Sequence, residues 1–357
     1  MTERTASCEE LRTWYLELVA KQPRLRPRDA AAALGVSEAE LVACGVGSES
    51  FRLKDNWLDI LTDMKTVGTV MCLTRNESVV NERHGCFESV SSEHGVGLVL
   101  GPDIDLRLFL NNWGFAFVVT QKLASGQRES IQFFDNCGDA VLKVYLTDET
   151  NRHAWDALIH KHRDRQASGC SHVLDNLSEH MPAKVDRPDS EIDRRSLSEG
   201  WLTLKDTHDF FILLARHKVG RQQALRLGGE GLAERMPLDA PKDLLRYAAV
   251  EQVPIMVFVG NRGCIQIHSG TVNKIAPFNS WINVLDAEFN LHLNEDAIAS
   301  VWWVRKPTED GDVHSLEVFD KDGEMIVQFF GVRKPGIPER DDWRMLLKSL
   351  PKMGMAA

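Results

Sequence analysis

The residue best placed to do chemistry in this 357-residue chain is His208, in the stretch KDTHDFFILLARHKVGRQQALRLG from Lys205 to Gly228. Read as a helix N-capped by Asp206, the stretch puts His208, Phe211, Ile212 and Ala215 on one face by the i, i+3, i+4 rule. An imidazole then sits in the first turn of an apolar face, with Arg216 and Arg221 close behind it. That combination suits an iron ligand flanked by anion-pairing groups, as a haem with two propionates requires. The plainer alternative is a half-buried histidine hydrogen-bonded to backbone. His217, one helical face away, is the alternative ligand.

The rest of the chain must position these groups. At 357 residues it exceeds what one core ordinarily organises, so two domains are expected. A hydrophobic fraction of 43% and a charged fraction of 26% are those of a soluble globular protein. A formal charge of -10 argues against a surface built to coat DNA or an anionic membrane. No run approaches the roughly 18 apolar residues of a membrane span, and MTERTASCEELRTW lacks the apolar core of a signal peptide. The seven cysteines (Cys8, Cys44, Cys72, Cys86, Cys137, Cys170 and Cys264) include no CxxC pair. They read as mostly structural thiols in a reducing compartment, and the expected location is the cytoplasm.

Taken in order, residues 9–45 read as helices. Arg28–Ala43 has the form helix, turn at Gly35, then a helix capped by Ser37 with Glu40 three residues on. This resembles the first two helices of a helix-turn-helix, although no basic recognition helix follows. A packed helical hairpin is the favoured reading. A short helix is expected over 57–65, strands from Val67 to Leu146, and a helix over Arg152–His162. Residues 164–195 are polar and broken by Pro182 and Pro188, as a linker would be. His160, His162, His172 and His180 have no ligand spacing that favours a metal site.

The chain then repeats itself. Asn76–Leu146 aligns with Asn261–Gly331 without a gap, at an offset of 185. SIQFFDNCGDAVLKVYL matches SLEVFDKDGEMIVQFFG, and RDAAAALG in the helical prelude matches RQQALRLG. Trp155 and Trp343 fall in equivalent closing helices. DNCGDA and DKDGEM are turns in which Gly138 and Gly323 supply positive φ. The expected architecture is α+β: a tandem duplication giving two antiparallel β-sheets, each flanked by helices. The domains are an N-terminal repeat over 1–163, a linker over 164–196 and a C-terminal repeat over 197–357. The copies differ where it matters. His208 faces Arg12 and Thr13 of the first copy, Lys306 faces Gln121 and Arg333 faces Asp148. The second copy alone has the histidine and the extra cations, so one ligand site is expected, mostly there.

The stretches DLRLFLNNW, SIQFFDNCGDAVLKVY, DTHDFFILLARHKVGRQQALRL, IMVFVGNRGCIQIHSG, RKPTEDGDVHSLEVFD and QFFGVRKPG resemble the bacterial hemin-degrading-factor family, the HemS/ChuS/PhuS type of cytoplasmic haem protein. The resemblance covers residues 10–350 in order. It implies one haem b per chain, as cargo or substrate, beside the C-terminal sheet. His208 would be its proximal iron ligand. Arg107, from the other half of the molecule, would be its distal-side arginine and the catalytic residue of an enzyme. Arg221, Lys306 and Arg333 would be propionate and pocket contacts, and Phe109 and Phe258 apolar pocket positions. Phe330 stands where some relatives have tyrosine before the glycine of G-x-R, so a hydroxyl is lost there. Phe109, Phe258 and Phe330 would wall the porphyrin.

Two functions follow from the resemblance. A carrier would accept haem from an inner-membrane haem transporter and hand it to a haem oxygenase. A haem-degrading enzyme would open the ring with O₂ and an external reductant, because the chain has no flavin or nicotinamide fingerprint of its own. A third reading, a DNA-binding regulator acting through residues 28–43, is opposed by the net charge. No membrane insertion is expected.

Overall fold

A computed structural model of the chain describes residues 7–23, 25–123, 126–166, 173, 176–180, 186–333 and 336–352. Its first helices form where the capping chemistry puts them. Helix α1 (Cys8–Lys21) carries a capping box between Ser7 and Glu10. Helix α2 (Pro27–Leu34) ends at Gly35 with φ of 68°. Helix α3 (Glu38–Ala43) starts at the expected Ser37–Glu40 capping box. Five of the six residues of α3 are buried, and its charged residues, Glu38 and Glu40, are acidic. It therefore has no exposed basic face for a DNA groove, and residues 28–43 are a packed hairpin.

Next come β1 (Ser50–Arg52), α4 (Trp57–Asp63), β2 (Gly68–Arg75), β3 (Val79–Gly85), β4 (Ser89–Glu93), β5 (Val96–Leu100) and β6 (Leu106–Leu108). The first copy closes with β7 (Trp113–Leu123), β8 (Gly126–Asp135), β9 (Ala140–Thr150) and α5 (Arg152–His162). The second copy opens with α6 (Arg194–Leu202), α7 (Asp209–His217), α8 (Arg221–Leu227), β10 (Ala233–Met236) and α9 (Ala240–Glu251). It continues through β11 (Ile255–Gly260), β12 (Cys264–Gly270), β13 (Ile275–Phe278), β14 (Trp281–Leu285) and β15 (Phe289–Asn294). It ends with β16 (Ser300–Thr308), β17 (Gly311–Phe319), β18 (Met325–Gly331) and α10 (Asp341–Ser349). The duplication is thus structural: β3 and β12, or β5 and β14, coincide residue for residue at the offset of 185. Gly138 and Gly323 have φ of 86° and 82° in matching hairpin turns, as only glycine readily permits.

The two sheets are antiparallel and nine-stranded, in the orders β1-β7-β8-β9-β2-β3-β15-β14-β13 and β10-β16-β17-β18-β11-β12-β6-β5-β4. This corrects one detail of the expectation. The sequence suggests one sheet per copy, whereas each sheet ends in three strands of the other copy. Alternation and turn chemistry define a three-stranded meander, but they do not say which edge it joins.

Two matching asparagines lie where the chain makes this exchange. Asn76 Oδ1 accepts from the amides of Ser78 and Val79 at 3.0 and 3.1 Å, and its Nδ2 donates to the carbonyls of Gly260 and Ile326 at 3.1 and 2.9 Å. Asn261 repeats this with the amides of Gly263 and Cys264 and the carbonyls of Arg75 and Val141. Every partner is displaced by the same offset, so each side chain replaces ladder bonds lost at the crossing.

By contact density the chain divides into a unit of residues 1–75, 82–180 and 261–266 and a second unit of residues 76–81, 181–260 and 267–357. The first packs Ile60, Leu61, Val70, Phe133 and Leu142 against Trp155 of α5. The second packs Leu244, Leu245, Val257, Leu316 and Phe329 against Trp343 of α10. Cys44, Cys72, Cys86, Cys137 and Cys264 are free thiols. No helix is long and apolar enough to cross a membrane among the described residues.

Candidate functional site

Helix α7 is seated by its neighbour α6. The Trp201 ring packs against Phe210 at a tilt of 60° with centroids 4.5 Å apart, and Gly200 leaves room for Leu213. Phe210 and Leu213 are buried, so Phe211 and Ile212, each 60% exposed, face outward. The face that carries His208 is therefore apolar and open.

The start of this helix departs from the sequence reading. Asp206 is not the N-cap; His208 occupies that position. Asp206 Oδ1 instead accepts from the His208 amide at 2.7 Å and from the ring Nδ1 at 2.6 Å. Asp209, the first residue of the helix, reaches back to the preceding turn, with Oδ2 accepting from the Asp206 amide at 3.0 Å. An aspartate that serves the amide two residues on makes a turn, which delays the helix. The His208 side chain is 87% exposed. With a carboxylate at Nδ1, the proton sits there and Nε2 is the nitrogen available to a metal. Burial pushes the Asp206 carboxyl up, but the amide and ring of His208, with Arg333, bring it below its usual range.

A buried charge cluster lies behind α7. Arg221, the first residue of α8, donates to Glu317 through Nε and Nη2, both at 2.7 Å. Lys306 on β16 donates to Glu317 Oε1 at 2.9 Å, and Ser315 Oγ reaches the same oxygen at 3.1 Å. Glu317 is wholly buried and Lys306 nearly so. Burial alone would raise the Glu317 carboxyl, but Arg221 and Lys306 drive it far below its usual range. Burial, aided by Arg221, pushes the Lys306 ammonium down to about 8 against the pull of Glu317. Two cations share one carboxylate, so the lysine is the group that gives way.

Aromatic rings join this cluster to α7. Phe210 lies 5.2 Å from the Arg221 guanidinium and 5.1 Å from Lys306 Nζ. Phe211 lies 5.5 Å from Arg221, and Phe330 lies 5.8 Å from Lys306. Phe258 packs edge-on against Phe330 at 5.0 Å. The second unit therefore gathers His208, Arg221, Lys306, Phe258 and Phe330, and Arg333 joins them through its field on Asp206.

Sequence reading missed Glu317, although the repeat held the signal. The equivalent residue is Gln132, which donates to Ser130 Oγ at 3.0 Å, while Lys306 faces Gln121. Where the first copy has two neutral amides, the second has the Glu317–Lys306 ion pair.

These residues fit a large planar dianion carrying a metal. Arg333 Nη1 is buried with no hydrogen-bond partner among the described residues, and such a donor is costly until an acceptor reaches it. Arg221 and Lys306 exceed their one carboxylate by a charge. No group of three His, Cys, Asp or Glu side chains converges among the described residues. A lone imidazole suits an ion that brings its own equatorial ligands, as haem iron does.

Arg107 and Phe109 belong to the first unit. Arg107 lies on β6 opposite Ile265 of β12 and Leu98 of β5. Its guanidinium, about a third exposed, pairs with Asp105. Burial raises the Asp105 carboxyl despite that partner. Phe109 is half-buried, and its amide donates to the Gly263 carbonyl at 3.0 Å.

His217 is nine positions beyond His208, about 13 Å along the helix, and faces Gly200 of α6. That removes it as a substitute ligand. His162 is buried between Asp63 Oδ2 at 2.6 Å and Asn56 Nδ2 at 3.1 Å, a structural role. His172 lies outside the described residues. Two cavities of about 600 and 620 Å³ occur beside Arg163 and Arg165 in the first unit. They do not touch the cluster, which is an open face rather than an enclosed void.

Comparison with known proteins places the whole chain among haem proteins by sequence and fold. Residues 35–162 and 218–350 match the haemin-degrading HemS.ChuX domain. The chain is 40% identical to the hemin transport protein HmuS of Yersinia pestis over 344 residues, 96% of this chain and 98% of that one. The structure of holo-PhuS, a heme-binding protein from Pseudomonas aeruginosa, matches with a TM-score of 0.93 at 47% identity, covering 98% of this chain and 100% of the other. ChuS, an E. coli heme oxygenase, matches with a TM-score of 0.85 at 39% identity, covering 95% and 99%.

Proposed function

The chain belongs to the haemin-degrading HemS.ChuX family, and from that premise we propose that it is a cytoplasmic haem carrier, loaded by an inner-membrane haem transporter and unloaded by a haem oxygenase. One observation carries the reading: His208 is fixed at Nδ1 by Asp206, yet its side chain is 87% exposed beside a cation cluster. His208 Nε2 would take the iron. Arg221, Lys306 and Arg333 would offset the propionates, and Arg333 Nη1 would gain the acceptor it lacks. Phe211, Ile212, Phe258 and Phe330 would cover the ring with apolar surface. Bound haem supplies the redox and O₂ chemistry. A single protein ligand on an open helix face favours handover, because only one coordinate bond must be exchanged.

The likeness to ChuS supports a second reading, a ring-opening enzyme that uses an external reductant. A single turnover of the haem complex separates the two. The complex receives an electron donor with catalase present, and the haem band and product are followed. Survival of the band, and its collapse once a haem oxygenase is added, is the expected result. A defined open-chain tetrapyrrole that depends on His208 overturns the carrier reading. In that case Arg107→Ala should slow ring opening more than it loosens haem.

The titration of Lys306 gives a pH test. Its ammonium is charged below about 8 and neutral above. A bound carboxylate favours the charged form and raises that pKa. Affinity for a porphyrin dianion is thus full below pH 8 and lost as pH rises through the bound-state value. A bound-state rise of one unit corresponds to about tenfold weaker binding at high pH. Iron-free protoporphyrin is the appropriate probe, since no hydroxide can compete at a metal. Lys306→Met should bind weakly at all pH values and lose the dependence.

A further inference from the structure

We propose that Asp206 is a positioning residue that locks His208 as the Nδ1–H tautomer and, through its negative charge, makes Nε2 a stronger electron donor to haem iron. The proposal rests on the reading of His208 as iron ligand. It goes beyond that reading by assigning the residue that sets the character of the ligand.

One oxygen, Asp206 Oδ1, accepts from both the His208 amide at 2.7 Å and the ring Nδ1 at 2.6 Å. The two bonds fix the backbone and the ring together, so the orientation of Nε2 is set before any ligand arrives. An exposed imidazole would otherwise spend ordering free energy on binding. Asp209, the other nearby carboxylate, is committed to the backbone amides of Lys205 and Asp206. Asp206 is the carboxylate hydrogen-bonded to the ring among the described residues.

A carboxylate on the distal nitrogen raises the basicity of a metal-bound imidazole. Stronger donation favours ferric over ferrous iron, which is one of the levers a protein has on haem. Asp206 would therefore hold the cargo in the oxidised state and tighten the bond that must break at handover. The first copy has neither the histidine nor this pair, with Arg12 and Thr13 in the matching region.

The test compares Asp206→Asn, Asp206→Glu and Asp206→Ala, each loaded with haem, with His208→Ala in parallel. Asparagine keeps an oxygen that can accept both bonds, so it preserves the turn and removes the charge. The readouts are the iron–histidine stretch of the ferrous complex by resonance Raman and the midpoint potential in a mediated titration. Asp206→Asn should lower the stretch frequency. It should also shift the ferric-to-ferrous affinity ratio about tenfold toward ferrous, a rise of about 59 mV for one electron. Asp206→Glu should recover part of both shifts. If Asp206→Asn matches the parent in both readouts while Asp206→Ala alone weakens binding, Asp206 only shapes the turn and the proposal is overturned. If His208→Ala retains the iron–histidine band, the ligand assignment itself fails, and the two failures are told apart.

Discussion

Replacing His208 with alanine is expected to weaken haem binding by about 100-fold or more, at least the upper end of what losing a supporting partner of a metal ligand costs. The haem spectrum should change at the same time, while thermal stability of the haem-free protein stays nearly constant. Affinity falls far because nothing stands in for Nε2. His217 is about 13 Å further along the helix and turned toward Gly200. Stability holds because the side chain is 87% exposed and contributes to no core. Surface substitutions of that kind usually stay within about 0.5 kcal/mol. Residual binding should persist through Arg221, Lys306, Arg333 and the phenylalanines, so the variant should still take up iron-free protoporphyrin at close to parental affinity. Equal loss for haem and for the metal-free ring would mean that the imidazole shapes the pocket without ligating iron. Unchanged haem affinity would remove the assignment altogether.

How far the sequence led depends on how local each feature is. The Ser37–Glu40 capping box, the hairpin turns at Gly138 and Gly323, and the equivalence of Trp155 and Trp343 were legible, because each follows from a few neighbouring residues or from the repeat itself. The exchange of meanders between sheets was not legible, since β4–β6 and β13–β15 carry the same alternation whichever edge they join. Asn76 and Asn261, which sit at the crossings, mark in sequence only where the aligned repeat begins. At the site, the apolar face of α7 was found by periodicity, but periodicity does not say whether a face is open or packed. Phe211 and Ile212 proved exposed, with Phe210 and Leu213 the buried pair. Asp206 was misread as a cap because an N-cap and a turn that holds the next histidine use the same residue type at the same place. Glu317 is not legible as a site residue, because it pairs with Arg221 and Lys306 rather than facing a ligand.

Replacing Glu317 with glutamine should have the largest effect on stability and an opposite effect on ligand dependence. The wholly buried carboxylate accepts from Arg221 Nε and Nη2, Lys306 Nζ and Ser315 Oγ. Glutamine removes the charge and turns one acceptor into a donor that faces other donors. Breaking a buried pair in this way costs about 3–5 kcal/mol, since the remaining cations stay desolvated and unpaired. At about 2–4 °C per kcal/mol for chains of this order, the haem-free protein should melt roughly 6–20 °C lower. Ligand carboxylates can take the place of Glu317, so haem or protoporphyrin should stabilise the variant more than it stabilises the parent. Gln132 shows that a glutamine suits this strand position when Gln121 stands in place of the lysine and Ser130 satisfies the amide. Glu317→Gln combined with Lys306→Met should therefore recover much of the loss, with a coupling of about 0.5–3 kcal/mol in a double-mutant cycle. A melting point for Glu317→Gln within about 1 °C of the parent would show that water already screens the cluster. Arg221 and Lys306 would then be ordinary surface cations rather than a buried pair held ready for an anion.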